Sequence, residues 1–394
     1  MALVTRCNRT VWALNFWEHC AKLHVGRHGN WNVQCAAFCE SNCVVKEQLR
    51  LVGHTERRIA NRLQLVNWSL VVGWALALCV GLAVTTFTLE GLMTTEVVTA
   101  PALAVAGLWL MRWGWGERPA FTMLAFAQMG FVTICAAPLS YIGLGAAMPL
   151  QDARFAELDR LLGLDWPAYF HFAMAHPELL LYAKFFYAMI LVPAFCVPVV
   201  LGLMGQYIRL QQFVMASTLA LCVVIVVSSL LPAIGTYFEF GLPSDTELFK
   251  ANGYGGQASD IPMLRDGTLR ALNIVKLGGI LTFPSFHAAT ALLSIWSLWS
   301  IWWLRPALLV LNGGMLVATP LVGGHYFVDV IAGVSVAALT IQASKGLTAV
   351  VAASPLAVST QPSSATPGRL VALAFAAMFV RPFRRNMSRH AIRP

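Results

Sequence analysis

The chain has 394 residues, 58% of them hydrophobic and only 11% charged, with a formal net charge of +9. Soluble domains carry about 25% charged residues, so this composition excludes a soluble globular enzyme and indicates an integral membrane protein. The positive balance is what membrane topology and anionic cytoplasmic lipid require, and it calls for no nucleic acid partner.

Residues 1–62 read as a polar, basic cytoplasmic extension. Cys7, Cys20, Cys35, Cys39 and Cys43 crowd it, but the spacing is not a clean zinc pattern and no metal site is expected. No signal peptide is expected either, because the first long apolar run begins only near residue 63. Eight membrane spans follow, at about 64–88, 95–112, 121–143, 181–204, 211–233, 285–303, 307–323 and 325–343. The expected fold is therefore all-α, a polytopic membrane helix bundle. Residues 63–120 hold accessory transmembrane helices, 121–345 the core, and 346–394 a linker with a basic cytoplasmic tail. Cys79, Cys135, Cys196 and Cys222 fall in spans and are expected to be small buried residues.

Between the third and fourth spans, residues 151–166 alternate acids and bases with Phe155, Leu158, Leu161, Leu162 and Leu164, an amphipathic pattern expected to lie in the outer interface. The longest outer loop, 239–277, carries Gly-Tyr-Gly-Gly at 253–256 and the cations Arg265, Arg270 and Lys276. Residues 354–368 are a linker, and Leu370–Val380 is an apolar run too short to span. With both termini inside, the inner segments from residue 46 onward carry 16 Lys/Arg and 3 Asp/Glu, and the outer ones 7 and 12. The positive-inside rule then places both termini on the cytoplasmic side, and the expected location is a plasma (inner) membrane.

Two motifs carry chemistry: Phe283-Pro284-Ser285-Phe286-His287 and Gly324-His325-Tyr326-Phe327-Val328-Asp329. Their histidines are 38 residues apart across an almost wholly apolar stretch. Two antiparallel spans of roughly 17–20 residues fit that distance, so both histidines return to one membrane face, the outer one. His325 and Asp329 at i, i+4 share a helix face. An unpaired carboxylate in a span costs about 2.5–3.5 kcal/mol, so Asp329 needs a partner, and His325 is the nearest. The pair alone reads equally as a structural pin for the helix end. Ser285 suits a helix start and, with first-turn N–H groups, makes an anion site beside His287. Two histidines converging beside such a site suit attack on phosphorus, with one as nucleophile and one as general acid.

Pro284-Ser285-Phe286-His287 and His325-Tyr326-Phe327-Val328-Asp329-Val330 resemble the second and third signatures of the type 2 phosphatidic acid phosphatase superfamily. Its inositolphosphotransferase branch is the most similar, and the resemblance runs over roughly residues 150–345, including Asp159…Gly163-x-Asp165-Trp166. It implies a six-helix membrane core and metal-independent phosphoester cleavage without cofactors. It also implies His325 as the nucleophile that becomes phosphohistidine, Asp329 as its orienter and His287 as the acid. The phosphatase subfamily's first signature, Lys followed by Arg-Pro, is not present in that form: Leu191-Val192-Pro193 follows Lys184, and Ala318-Thr319 stands where Ser-Arg opens the third signature. Ser285, Lys184, Arg265, Arg270 and Lys276 are the phosphate-binding candidates.

The implied activity is a lipid phosphatase or phosphotransferase acting on a phosphorylated lipid, with an alcohol acceptor in the transferase case. A transporter using His325–Asp329 as a proton relay and a non-catalytic lipid-binding protein are the readings from other classes.

Overall fold

The computed structural model describes residues 31–91, 94–242 and 254–354. Residues 1–30 of the basic extension, 243–253 of the long loop, and nearly all of the linker with its basic tail lie outside the described residues. The chain divides after Thr55 into two units, and the second, from Glu56 onward, holds the membrane bundle and both motifs.

The described residues are overwhelmingly helical, as the composition requires. In chain order the helices are α1 (Trp31–Val84), α2 (Thr95–Trp113), α3 (Glu117–Leu144), α4 (Asp152–Leu161), α5 (Trp166–Met174), α6 (Pro177–Ala188), α7 (Leu191–Leu203), α8 (Tyr207–Leu230), α9 (Thr236–Glu239), α10 (Tyr254–Asp266), α11 (Phe286–Leu298), α12 (Arg305–Val322) and α13 (Phe327–Ala353). The only described strands are β1 (Thr88–Glu90) and β2 (Ala271–Asn273), paired in parallel with Leu89 opposite Leu272.

Five stretches are long and apolar enough to cross a membrane: Gly53–Val84, Glu117–Leu144, Tyr207–Leu230, Trp302–Val322 and Phe327–Ala353. A sixth span is formed if α6 and α7, bent by 47° at their junction, count as one. The bend has a chemical cause: Pro193 lacks the N–H that would continue the ladder, and the chain tightens with Ile190 N–H donating to Tyr187 O and Val192 N–H to Met189 O.

All eight expected spans exist as helices, but two are too short to cross alone, the segment Val97–Trp113 and α11. The expected span 285–303 stops at Leu298, because the chain leaves the helix before Arg305-Pro306 and re-forms as a 3₁₀ turn, Trp302–Leu304. At 1.5 Å per residue α11 measures only about 20 Å against a core of about 30 Å. The preceding non-helical segment is buried at Ile280, Thr282 and Ser285 and carries the chain inward to the start of α11. The cysteines also differ from expectation. Cys135 is buried, whereas Cys79, Cys196 and Cys222 lie on the exposed faces of their helices.

The core forms where α8 meets α3, α7, α11 and α13, around buried Phe121, Leu201, Phe213, Val224, Leu293 and Ile341. Small residues let these backbones approach, the packing device of membrane helices. The tightest approach to another segment's backbone among the described glycines is at Gly333 of α13, where a Cβ would overlap the Ser285 carbonyl oxygen and sit 3.0 Å from Ala288 Cβ. Gly333 thereby brings the body of α13 against the start of α11.

A Gly-to-Ala change inside a helix normally stabilises by up to about 1 kcal/mol. At Gly346, in the same helix, an added methyl would meet nothing within 4 Å, so G346A should be neutral or stabilising. G333A should instead cost about 1–3 kcal/mol through overpacking. Melting temperatures of the two variants in detergent check the opposite signs.

Candidate active site

Ser285 caps α11: its Oγ accepts from Ala288 N–H at 3.4 Å, and its backbone N–H donates to Asp329 O at 3.0 Å. His287 is therefore in the first turn of α11, directly beside the first turn of α13. There Asp329 occupies the third helical position and reaches back to the Tyr326 N–H at 2.9 Å, the carboxylate half of a capping box.

The same oxygen, Asp329 Oδ2, faces His325 Nδ1 at 3.2 Å. An ionised carboxylate only accepts, so Nδ1 carries the proton and Nε2 the lone pair. His325 is 4% exposed and Asp329 is fully buried, while Asp329 Oδ1 has no partner among the described residues. The rings of His287 and His325 meet edge to face with centroids 6.2 Å apart. Reacting atoms held about 3–3.5 Å apart can bridge that gap. The structure thus brings His287, His325, Asp329 and Ser285 into one place.

The supporting shell comes largely from α4. Asp159 accepts from Phe327 N–H and Val328 N–H, both at 2.8 Å, and so occupies the positive end of α13. Burial pushes the Asp159 carboxyl above its ordinary range, with the two N–H donors opposing the shift. Asp152 accepts from Ile234 N–H at 3.1 Å, Gly235 N–H at 2.7 Å and the Tyr326 hydroxyl at 2.9 Å. Gly324 adopts φ +63°, a conformation that strains other residues, and its carbonyl accepts from Thr236 N–H at 2.8 Å. On the other side Trp166 Nε1–H donates to Pro320 O at 2.9 Å, the Tyr169 hydroxyl to Val317 O at 2.8 Å, and the Tyr237 hydroxyl to Leu321 O.

This shell changes which backbone groups can meet an anion. The Tyr326, Phe327 and Val328 N–H groups at the start of α13 are taken by Asp329 and Asp159. At the start of α11, Phe286 N–H and His287 N–H have no hydrogen-bond partner among the described residues.

The basic candidates are dispersed. Arg265 donates to Met148 O at 2.6 Å. Arg270 donates to Leu264 O at 3.0 Å and lies over the Phe87 ring at 4.5 Å. Both guanidinium groups thus brace loop backbone. Lys276 is exposed in a 3₁₀ turn. Lys184 is half-buried in α6, one turn before Tyr187.

Three residues of the arrangement lie outside the site set that the motifs suggest. Tyr187 stacks on His287 with ring centroids 4.1 Å apart and planes 13° apart, and no motif marks it. Asp152 and Asp159 do carry a signal. They sit at i and i+7, with Phe155 and Ala156 between them, and all four are buried on one face of α4. Two acids on the buried face of an amphipathic helix require donors from elsewhere in the fold. The leucines Leu158, Leu161 and Leu162 point the other way and are exposed.

Residues 153–343 match the family model described as the PAP2 superfamily. No curated protein and no solved structure matches the chain. The family match supports the superfamily expected from the two motifs, and with it a phosphatase-type lipid phosphoesterase. It does not distinguish the inositolphosphotransferase branch.

Replacing Asp159 by alanine strands two partly buried N–H groups at the start of α13. D159A should lower stability by about 1–3 kcal/mol and reduce turnover with it. D159N, which keeps one acceptor oxygen, should lose less. Melting curves in detergent and turnover, measured side by side, check the order.

Proposed function

We propose that this protein is a membrane-embedded phosphoesterase that attacks the phosphorus of a lipid substrate with His325 Nε2, forming a phosphohistidine that water or an alcohol then resolves. The observation that carries this reading is the His325 Nδ1–Asp329 Oδ2 contact at 3.2 Å beside the His287 ring. The carboxylate holds the tautomer that leaves Nε2 nucleophilic, and it stabilises the cationic ring as the N–P bond forms. His287 is placed to protonate the departing lipid oxygen and then to deprotonate the incoming hydroxyl. The unpartnered N–H groups of Phe286 and His287 supply donors for the phosphoryl oxygens without a metal ion.

The finer proposal is head-group transfer. A dianionic terminal phosphate is best met by paired fixed cations, whereas Arg265 and Arg270 are both engaged with backbone carbonyls. A phosphodiester carries one charge and asks for less. The proposed location is the outer face of a plasma membrane, from the charge asymmetry of the loops.

The test is turnover of a panel of lipid phosphates and phosphodiesters by purified protein, with and without a candidate alcohol. H325A should abolish turnover with every leaving group. H287A should lose far less with a nitrophenolate leaving group than with a lipid alkoxide, because less proton donation is needed. D329N should fall by up to about 10⁴-fold, as in serine-protease triads when the orienting aspartate becomes asparagine. Undiminished turnover by H325A would refute the assignment. Label appearing only in free phosphate or head-group phosphate, whatever alcohol is offered, would leave hydrolysis and remove transfer.

A further inference from the structure

The helix α6 carries none of its side chains buried, and it exposes Leu181, Tyr182 and Phe185. Two of its residues nevertheless point inward. Phe186 packs into the gap at Gly314 of α12, where a Cβ would sit 2.5 Å from its Cδ1. Tyr187, at the bend before α7, lays its ring on His287.

The other end of Tyr187 is equally well placed. A Cβ built on Gly323 would lie 2.7 Å from the Tyr187 hydroxyl and 2.6 Å from His325 Cδ2. The hydroxyl and the imidazole edge thus converge on one point over Gly323. In an imidazole ring Cδ2 is bonded to Nε2 and lies across the ring from Nδ1. The hydroxyl is therefore on the nucleophilic side of His325, away from Asp329. Among the described residues this hydroxyl has no hydrogen-bond partner. A phenol in a protein interior normally finds one, so a donor is left facing the place where the phosphoryl group must bind.

We propose that Tyr187 is a phosphoryl-binding residue of this site, its hydroxyl donating a hydrogen bond to a non-bridging phosphoryl oxygen at His325 Nε2 while its ring holds His287 by stacking. This rests on the phosphoesterase reading above and supplies one of the donors that the absent arginine signature leaves missing. A neutral phenol strengthens its bond as charge builds on the phosphoryl oxygens, so its contribution is to kcat more than to KM.

The test compares wild-type protein with Y187F and Y187L in detergent micelles, using a lipid phosphate that the wild type turns over and inorganic vanadate as a five-coordinate phosphoryl mimic. Y187F keeps the stack and loses the hydroxyl. Its kcat should fall by about 10²-fold, the usual effect of removing one oxyanion donor, with KM little changed and vanadate inhibition weakened in parallel. Y187L should fall further and lose the His287-dependent preference among leaving groups. A folding defect would lower only the active fraction, cutting kcat with an unchanged vanadate inhibition constant, and that result would overturn the proposal. So would Y187F equal to wild type in both measures while H325A is inactive. Failure of the wild type itself on every lipid phosphate is a distinct result, and it would overturn the phosphoesterase reading and this one together.

Discussion

Asp329 ties the site together. One carboxylate oxygen holds both His325 Nδ1 and the Tyr326 N–H, and the residue's own carbonyl accepts from Ser285 N–H. A single residue thus fixes a histidine, caps the helix that carries it, and pins that helix to the start of its neighbour. Everything else serves this junction. Gly333 lets the two backbones touch, Asp159 saturates the remaining N–H groups of α13, and Asp152 anchors Tyr326 from the far side. The two donors on Oδ2 offset part of the cost of burying this carboxylate in a membrane bundle.

The motif residues were legible because their relation is local. An i, i+4 His–Asp pair follows from helix geometry wherever the helix is, and Ser285 reads as a cap from its neighbours alone. The supporting contacts are not local. Asp159 meets Phe327 and Val328 across 168 and 169 positions, and Tyr326 meets Asp152 across 174, distances over which no periodicity speaks. The α-helical bundle was legible from uncharged runs, but span lengths were not, since hydropathy does not register where a helix such as α11 unwinds into apolar coil. Tyr187 was invisible for a related reason. Its placement depends on the bend between α6 and α7 rather than on any pattern of its own.

The arrangement also recasts the problem of phosphate charge. The sequence offers cations in the loops, yet two of them are held by the backbone carbonyls of Met148 and Leu264. Besides Asp329, the groups placed at the histidines are neutral: helix-start N–H groups, a capping serine and a phenol. In a site of low dielectric such fixed dipoles stabilise developing charge strongly and cost no reorganisation at the moment of reaction. On the proposed reading, a site built this way suits a substrate that arrives with little charge of its own.

The central claim is that His325 becomes covalently linked to phosphorus. The most direct test is rapid quenching of purified protein during turnover of a lipid substrate labelled at phosphorus, followed by peptide mapping. The expected result is acid-labile, base-stable label on the peptide containing His325, chased by water or alcohol at the rate of turnover and absent from H325A. Steady turnover with no protein-bound label at any quench time, together with inversion of configuration at phosphorus, would contradict it.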